Sequence, residues 1–214
     1  MSRPDASVSL SALARLGFDE LSAASAGLAE LSELTGLDRA ALLDGLDAAD
    51  PDSALTGMVR VARRDPARVG AVLGDPGARA ATWRLFGASR GLAGFFERRP
   101  EQFETTAVLR TTLPDATELR ERMLTAVGAR DGFAEPGEAA RIALRVAYRR
   151  ALAEIAAADL AASDPVDGIA GVSAALADAA AAALEAALAI ARADVGGEGG
   201  DRPRDQVAAT RLAI

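Results

Sequence analysis

The chain has no cysteine, histidine, lysine or asparagine among its 214 residues. Each of the first three absences removes a class of chemistry. Without cysteine there is no disulfide, thiolate nucleophile or zinc–sulfur site. Without histidine there is no imidazole base, no Ser-His-Asp triad and no histidine-bearing metal site. Without lysine, a Walker phosphate loop and Schiff-base catalysis are both excluded. All 24 cationic side chains are therefore arginines. Carboxylates, hydroxyls, one tyrosine and guanidinium groups remain, so paired carboxylates with magnesium are the catalytic route left open.

Basic charge is also short. The net charge of −7 and pI near 4.8 exclude the broad cationic face that phosphate neutralisation needs, so no nucleic-acid partner is expected. The first ten residues lack the apolar core of a secretory signal, which places the expected compartment in the cytoplasm.

Aromatics are scarce as well, and their distribution is uneven. Trp83, Phe86, Phe95, Phe96 and Phe103 are five of only eight. Large rings dominate packing energetics, so in an alanine-rich chain this stretch should anchor the core. Within it Ser89 can cap a following helix, Gly87 and Gly91 permit close backbone approach, and Arg99-Pro100 should end the helix.

What is abundant is helical periodicity. Val8, Leu10, Leu13 and Leu16 keep helical spacing up to Gly17, and Phe18, Leu21, Leu28, Leu31 and Leu34 continue to Gly36 as a C-cap. Asp38 should cap a short third helix reaching Leu46. Asp-Pro pairs at 50–51, 65–66, 75–76 and 164–165 read as helix starts. Aspartate accepts from orphan N–H groups, and proline at the first helical position has no N–H to satisfy. Pro114-Asp115 with Glu118 reads as a capping box. Asp44, Asp47 and Asp50 read as a solvated edge. Asp50-Pro51-Asp52 has the spacing of a magnesium-holding carboxylate pair, but lacks the Gly-Ser turn and strand that such a pair requires.

The longest well-formed helix is expected between Pro136 and Asp159. Arg141, Arg145 and Arg149 recur there every four residues with Arg150 adjoining. Such a ridge suits a phosphate or an acidic partner, and equally a solvated face supported by Glu138 and Glu154. An alanine-rich helix over 166–193 should follow. Its larger apolar residues Ile169, Val172, Leu176, Leu184 and Leu188 keep helical spacing, and its alanines let neighbouring helices approach closely. Internal acids argue against a membrane span, so no membrane partner is expected. Gly196–Gly200 reads as a linker, and Gln206–Ile214 as the one convincing strand.

The expected organisation is thus an all-α bundle of short antiparallel helices over 1–135, a long helical pair over 136–195, a linker over 196–205, and a strand over 206–214. That strand would begin a truncated nucleotidyltransferase-like α/β core.

Three stretches carry a family resemblance: Leu85-Phe86-Gly87-Ala88-Ser89-Arg90-Gly91-Leu92-Ala93 through Arg99-Pro100-Glu101; Leu144-Arg145 through Arg149-Arg150, Ile155-Ala156-Ala157 and Asp159-Leu160; and Arg211-Leu212-Ala213-Ile214. Together they resemble the N-terminal, deadenylylating half of the bacterial glutamine synthetase adenylyltransferase/adenylyl-removing family. The chain departs from that pattern at Glu154 and Ala158, where the family carries basic residues.

The resemblance implies a helical lead-in that ends before the glycine-rich turn and D-x-D pair of the family's catalytic core. It implies no catalytic, cofactor-binding or metal residue in this chain, which alone should be inactive. Magnesium and ATP or ADP are implied for the longer enzyme, with glutamine synthetase and the PII signalling protein as partners. Two other readings stand beside it. One is a stand-alone helical adaptor that grips an acidic protein through Arg141, Arg145, Arg149 and Arg150; the other is a small metal-dependent enzyme using Asp44, Asp47, Asp50 and Asp52.

Overall fold

A computed structural model describes residues 8–196, and these form eleven α-helices and one short 3-10 turn. The linker and strand expected after Gly196 lie outside the described residues. By backbone proximity the chain divides into two compact units. One holds the residues up to Thr111 together with Ala156–Ser163; the other holds Thr112–Ile155 together with the residues from Asp164 on.

The first unit contains α1 (Leu10–Arg15), α2 (Leu21–Thr35), α3 (Arg39–Leu43), α4 (Pro51–Arg64), α5 (Pro66–Gly74), α6 (Pro76–Ala88), α7 (Arg90–Arg98), a 3-10 turn (Pro100–Gln102) and α8 (Thr105–Val108). Its helix starts follow from the aspartates. Asp50 accepts from the Ser53 N–H at 2.9 Å, Asp65 from Arg68 at 3.0 Å and Asp75 from Ala78 at 2.7 Å. Each cap is followed by proline at the first helical position. Ser89 caps α7 through the Leu92 N–H, and Arg99 closes it. Asp38 caps α3, but that helix stops at Leu43 rather than Leu46: Gly45 has a φ of +73°, and Asp44 turns out into an extended conformation.

Helix α4 is central and packs against α2, α5, α6 and α7. Trp83, Phe86, Phe96 and Phe103 are fully buried. Phe96 lies 5.9 Å from Phe86 and 5.3 Å from Phe103, while Phe18 meets Trp83 edge-on at 6.2 Å. The Trp83 indole N–H donates to the Leu42 carbonyl at 2.9 Å, which ties α6 to α3. Two glycines permit close packing here. A Cβ on Gly57 would stand 2.9 Å from the Ala93 Cβ, and one on Gly87 would stand 2.9 Å from the Ala48 Cβ. Gly91 has no such role, because a Cβ there would meet nothing nearer than the Ser89 hydroxyl at 3.7 Å.

The second unit is built from α9 (Ala116–Ala126), most of α10 (Glu138–Leu160) and α11 (Pro165–Gly196). Asp115 caps α9 through the Glu118 N–H at 2.8 Å, and Asp164 accepts from Val166 at 2.8 Å where α11 begins. The longest described helix is α11, with 32 residues against 23 in α10.

The core joins Leu119, Met123 and Val127 to Ile155 and to a line of α11 alanines: Ala175, Ala179, Ala182, Ala186 and Ala189. The spacing of Ile169, Leu176 and Leu184 is helical as expected, but these residues face outward, at 60, 42 and 46 % exposure. Alanine occupies the inner face because it lets α11 lie close against α9; a leucine in each of those positions would hold the helices apart.

Candidate functional site

The four arginines of α10 have different surroundings. Arg141 donates to Asp194 and to Glu138, and Arg145 donates to Glu138 as well. The neighbouring Asp194 and Glu138 carboxylates hold the Arg141 guanidinium above its ordinary range, Asp194 having the larger effect. Arg149 is exposed and makes no hydrogen bond or ion pair among the described residues. Arg150 leaves the line altogether. It is half-buried and donates through Nε to Glu154 Oε1 at 2.8 Å.

Glu154 is the residue that sequence reading placed wrongly. Taken as support for a solvated face, it is 4 % exposed. Its second oxygen accepts from Arg122 Nη1 at 2.6 Å, and Arg122 also donates to Glu118. Burial is the largest single influence on the Arg122 guanidinium and pulls its pKa down. The two carboxylates together outweigh it, so the net direction is upward. The result is a charge network inside the second unit that links α9 to α10. Its signal in the sequence was Glu154 itself, an acid four residues after Arg150.

The acids proposed for a metal site are separately engaged. Asp44 lies 3.4 Å from Arg79 and Asp47 lies 3.7 Å from Arg84. Asp50 caps α4 and accepts from the Ser53 hydroxyl, and Asp52 accepts from the Asp19 N–H at 2.9 Å. Among the described residues no group of three or more acids converges in a way that could hold a metal ion. These residues therefore do not fit a magnesium–nucleotide centre. Arg79 was missed from the sequence: it is almost fully buried and donates to the carbonyls of Leu73 and Asp44.

The first unit also has an open cleft of about 710 Å3 lined by α2, α4 and α7, with Gly27, Gly57 and Gly94 among its wall residues. A two-pronged pair at its edge, Arg63 to Glu30 at 2.6 and 2.8 Å, keeps the Glu30 carboxyl below its ordinary pKa. The sequence did not reveal this cleft, since it forms only where three helices meet.

Capped helices and internally paired charges are what the described residues show. Comparison with known proteins gives the chain its family. The chain is 47% identical over 210 residues to the bifunctional glutamine synthetase adenylyltransferase/adenylyl-removing enzyme of Leifsonia xyli; the match takes in 97% of the chain and 21% of the relative. It is 39% identical over 198 residues to the enzyme of the same name from Bifidobacterium longum subsp. infantis, covering 84% of the chain and 18% of the relative. With that of Cutibacterium acnes it shares 34% identity over 192 residues, covering 85% and 19%. This chain is a homologue of one segment of the bifunctional glutamine synthetase adenylyltransferase/adenylyl-removing family. It spans about a fifth of the length of these curated relatives. No family model matches the chain, and no solved structure matches it.

Proposed function

We propose that this chain serves as helical scaffold in the N-terminal, deadenylylating half of such an enzyme. The longer protein would regulate nitrogen assimilation in the bacterial cytoplasm. It would attach AMP to a glutamine synthetase tyrosine and remove it by phosphorolysis, with PII signalling proteins and glutamine setting the balance. Magnesium and ATP or ADP would be held elsewhere than at Asp44, Asp47 and Asp50, which are engaged in a cap and ion pairs. The observation that carries the reading is identity of 47% along nearly the whole chain to a fifth of one enzyme.

The adaptor reading has nothing to support it, since Arg141, Arg145 and Arg150 already face acids within the second unit. Of the ridge, Arg149 remains the contact this reading would assign to an acidic partner.

The test is replacement. The matched segment of the Leifsonia enzyme is exchanged for this chain, and both reactions are assayed on glutamine synthetase. Retention of both activities to within about tenfold is expected at this identity. A folded chimera inactive in both directions would overturn the assignment. The chain alone, given adenylylated glutamine synthetase and phosphate, should release no nucleotide above a no-protein control.

A further inference from the structure

Glu154 is the one carboxylate among the described residues that is almost fully buried. Each of its oxygens has its own cation: Oε1 accepts from Arg150 Nε at 2.8 Å, and Oε2 from Arg122 Nη1 at 2.6 Å. The two arginines reach it from different helices, α10 and α9, inside the second unit. Glu118 accepts from Arg122 Nη2 and so holds that guanidinium at a fixed angle. Glu138, earlier on α10, also faces two arginines, Arg141 and Arg145. Its side chain is 60 % exposed, so water competes for each of those contacts. At Glu154 that competition is largely gone. The carboxylate is held there as a bound oxyanion is held, by charge-assisted donors in a setting of low dielectric.

We propose that Arg122 and Arg150 form a small oxyanion seat, and that Glu154 is its built-in ligand. With the tethered group withdrawn, the seat takes a free carboxylate of similar size. Geometry selects this class of ligand. The two arginines present one N–H to each of two oxygens, which suits a planar carboxylate and not a single-atom anion such as chloride. Charge favours it as well. Of Arg122, Arg150 and Glu118, two are cations, and a buried cation left without its partner is strongly destabilising. An ion that refills the void therefore stabilises the fold. Access is open to a small ion, because the side chains of Arg122 and Arg150 keep 32 and 19 % of their exposure. The rival account is that Glu154 acts through the packing of its two methylene groups, and then no free ion can replace it. The seat belongs to this chain alone and stands apart from any role of the longer enzyme.

Glu154→Ala removes the ligand and leaves the seat. The full chain carrying it is melted in sodium chloride and in sodium formate at equal ionic strength, followed by far-ultraviolet circular dichroism. A saturable rise of about 5 °C or more by roughly 100 mM formate is expected, against about 1 °C or less in the unaltered chain. Two controls locate the effect. Glu138→Ala frees an arginine pair at the surface and should gain nothing from formate. Arg122→Met/Glu154→Ala keeps the void but lacks one donor, and should lose the rise. Equal melting of Glu154→Ala in the two salts would overturn the proposal. So would an equal rise in the unaltered chain, in Glu138→Ala or in the double variant. Should Glu154→Ala not fold in chloride, the readout becomes the recovery of helical signal on dilution from urea. Recovery in formate alone is then expected, and failure in both salts overturns the proposal equally.

Discussion

Glu154→Gln isolates the charge network that joins α9 to α10. The carboxylate accepts one guanidinium on each oxygen, at 2.8 and 2.6 Å, and is 4 % exposed. Glutamine preserves the shape but removes the charge, and it turns an acceptor into a donor facing one of the two arginines. Removing one member of a fully buried ion pair costs ~3–5 kcal/mol. The side chains of Arg122 and Arg150 retain 32 and 19 % of their exposure, so water screens part of that loss. An expected cost of about 2–3 kcal/mol follows. At ~4–8 °C per kcal/mol for a unit of roughly a hundred residues, the melting temperature should fall by about 8–24 °C.

Unfolding of the second unit is followed by far-ultraviolet circular dichroism in urea, alongside the fluorescence of Trp83, which reports on the first unit. A loss under about 0.5 kcal/mol would refute the view that this network holds the unit together. The double variant Arg122→Met/Glu154→Leu separates pairing from burial. Apolar replacement of a buried pair is often neutral or stabilising, so it should recover most of the loss. A double variant weaker than Glu154→Gln would mean that the pairing itself outweighs its desolvation.

Three further outcomes are expected. Gly57→Ala forces a methyl group to within 2.9 Å of Ala93 and 3.0 Å of Phe86. Overpacking of ~1–3 kcal/mol, less ~1 kcal/mol of gained helix propensity, leaves a net loss of about 0–2 kcal/mol in urea melts. On α11, Ala186→Leu at a fully buried position should cost ~1–3 kcal/mol, whereas Leu184→Ser in the isolated chain should stay within about 0.5 kcal/mol; the opposite ranking would show that α11 is rotated. Acid should also destabilise the first unit. The Arg63 hydrogen bond lowers Glu30 from its ordinary 4.5; Ser53, then Arg90, lowers Asp50 from 3.8; and the Arg68 N–H, then its side chain, lowers Asp65 from 3.8. The unfolded chain takes up these protons first as pH falls, so the stabilisation is present above those ordinary values and lost through the lower folded ones. Urea midpoints should be level from about pH 7 to 5 and decline below about pH 4; Asp50→Asn should flatten that decline.

Local chemistry made much of this fold legible. All four Asp-Pro pairs open helices because cap and proline act within three residues of one another, a range that sequence displays directly. The aromatic cluster was visible for a similar reason: a chain with eight rings in all has few other ways to fill a core. What depended on distant partners was not visible. Arg79 reaches carbonyls of Leu73 and Asp44, and Glu154 is buried because Arg122, 32 residues earlier, reaches across from α9. The α10 arginines were read as a unit from their spacing alone. Spacing fixes which residues share a helix face but not which acids lie opposite, and here Asp194, 53 residues beyond Arg141, decides that.

Helix α11 shows where the hydrophobic scale itself misleads. Ranking residues by size directs attention to Ile169, Leu176 and Leu184, and a burial rule then turns them inward. Yet Ala175, Ala179, Ala182, Ala186, Ala189 and Ala193 step by four and three in strict alternation, the spacing of a helix seam. All six are buried. In a window this rich in alanine, the period of the small residues is the more informative signal, because only they permit close helix approach along the whole length. The larger residues are then left for a different surface. The same rotation that closes the second unit with alanine is therefore what turns Ile169, Leu176 and Leu184 outward. A structure in which Leu176 and Leu184 pack against α9 would refute this account of the seam.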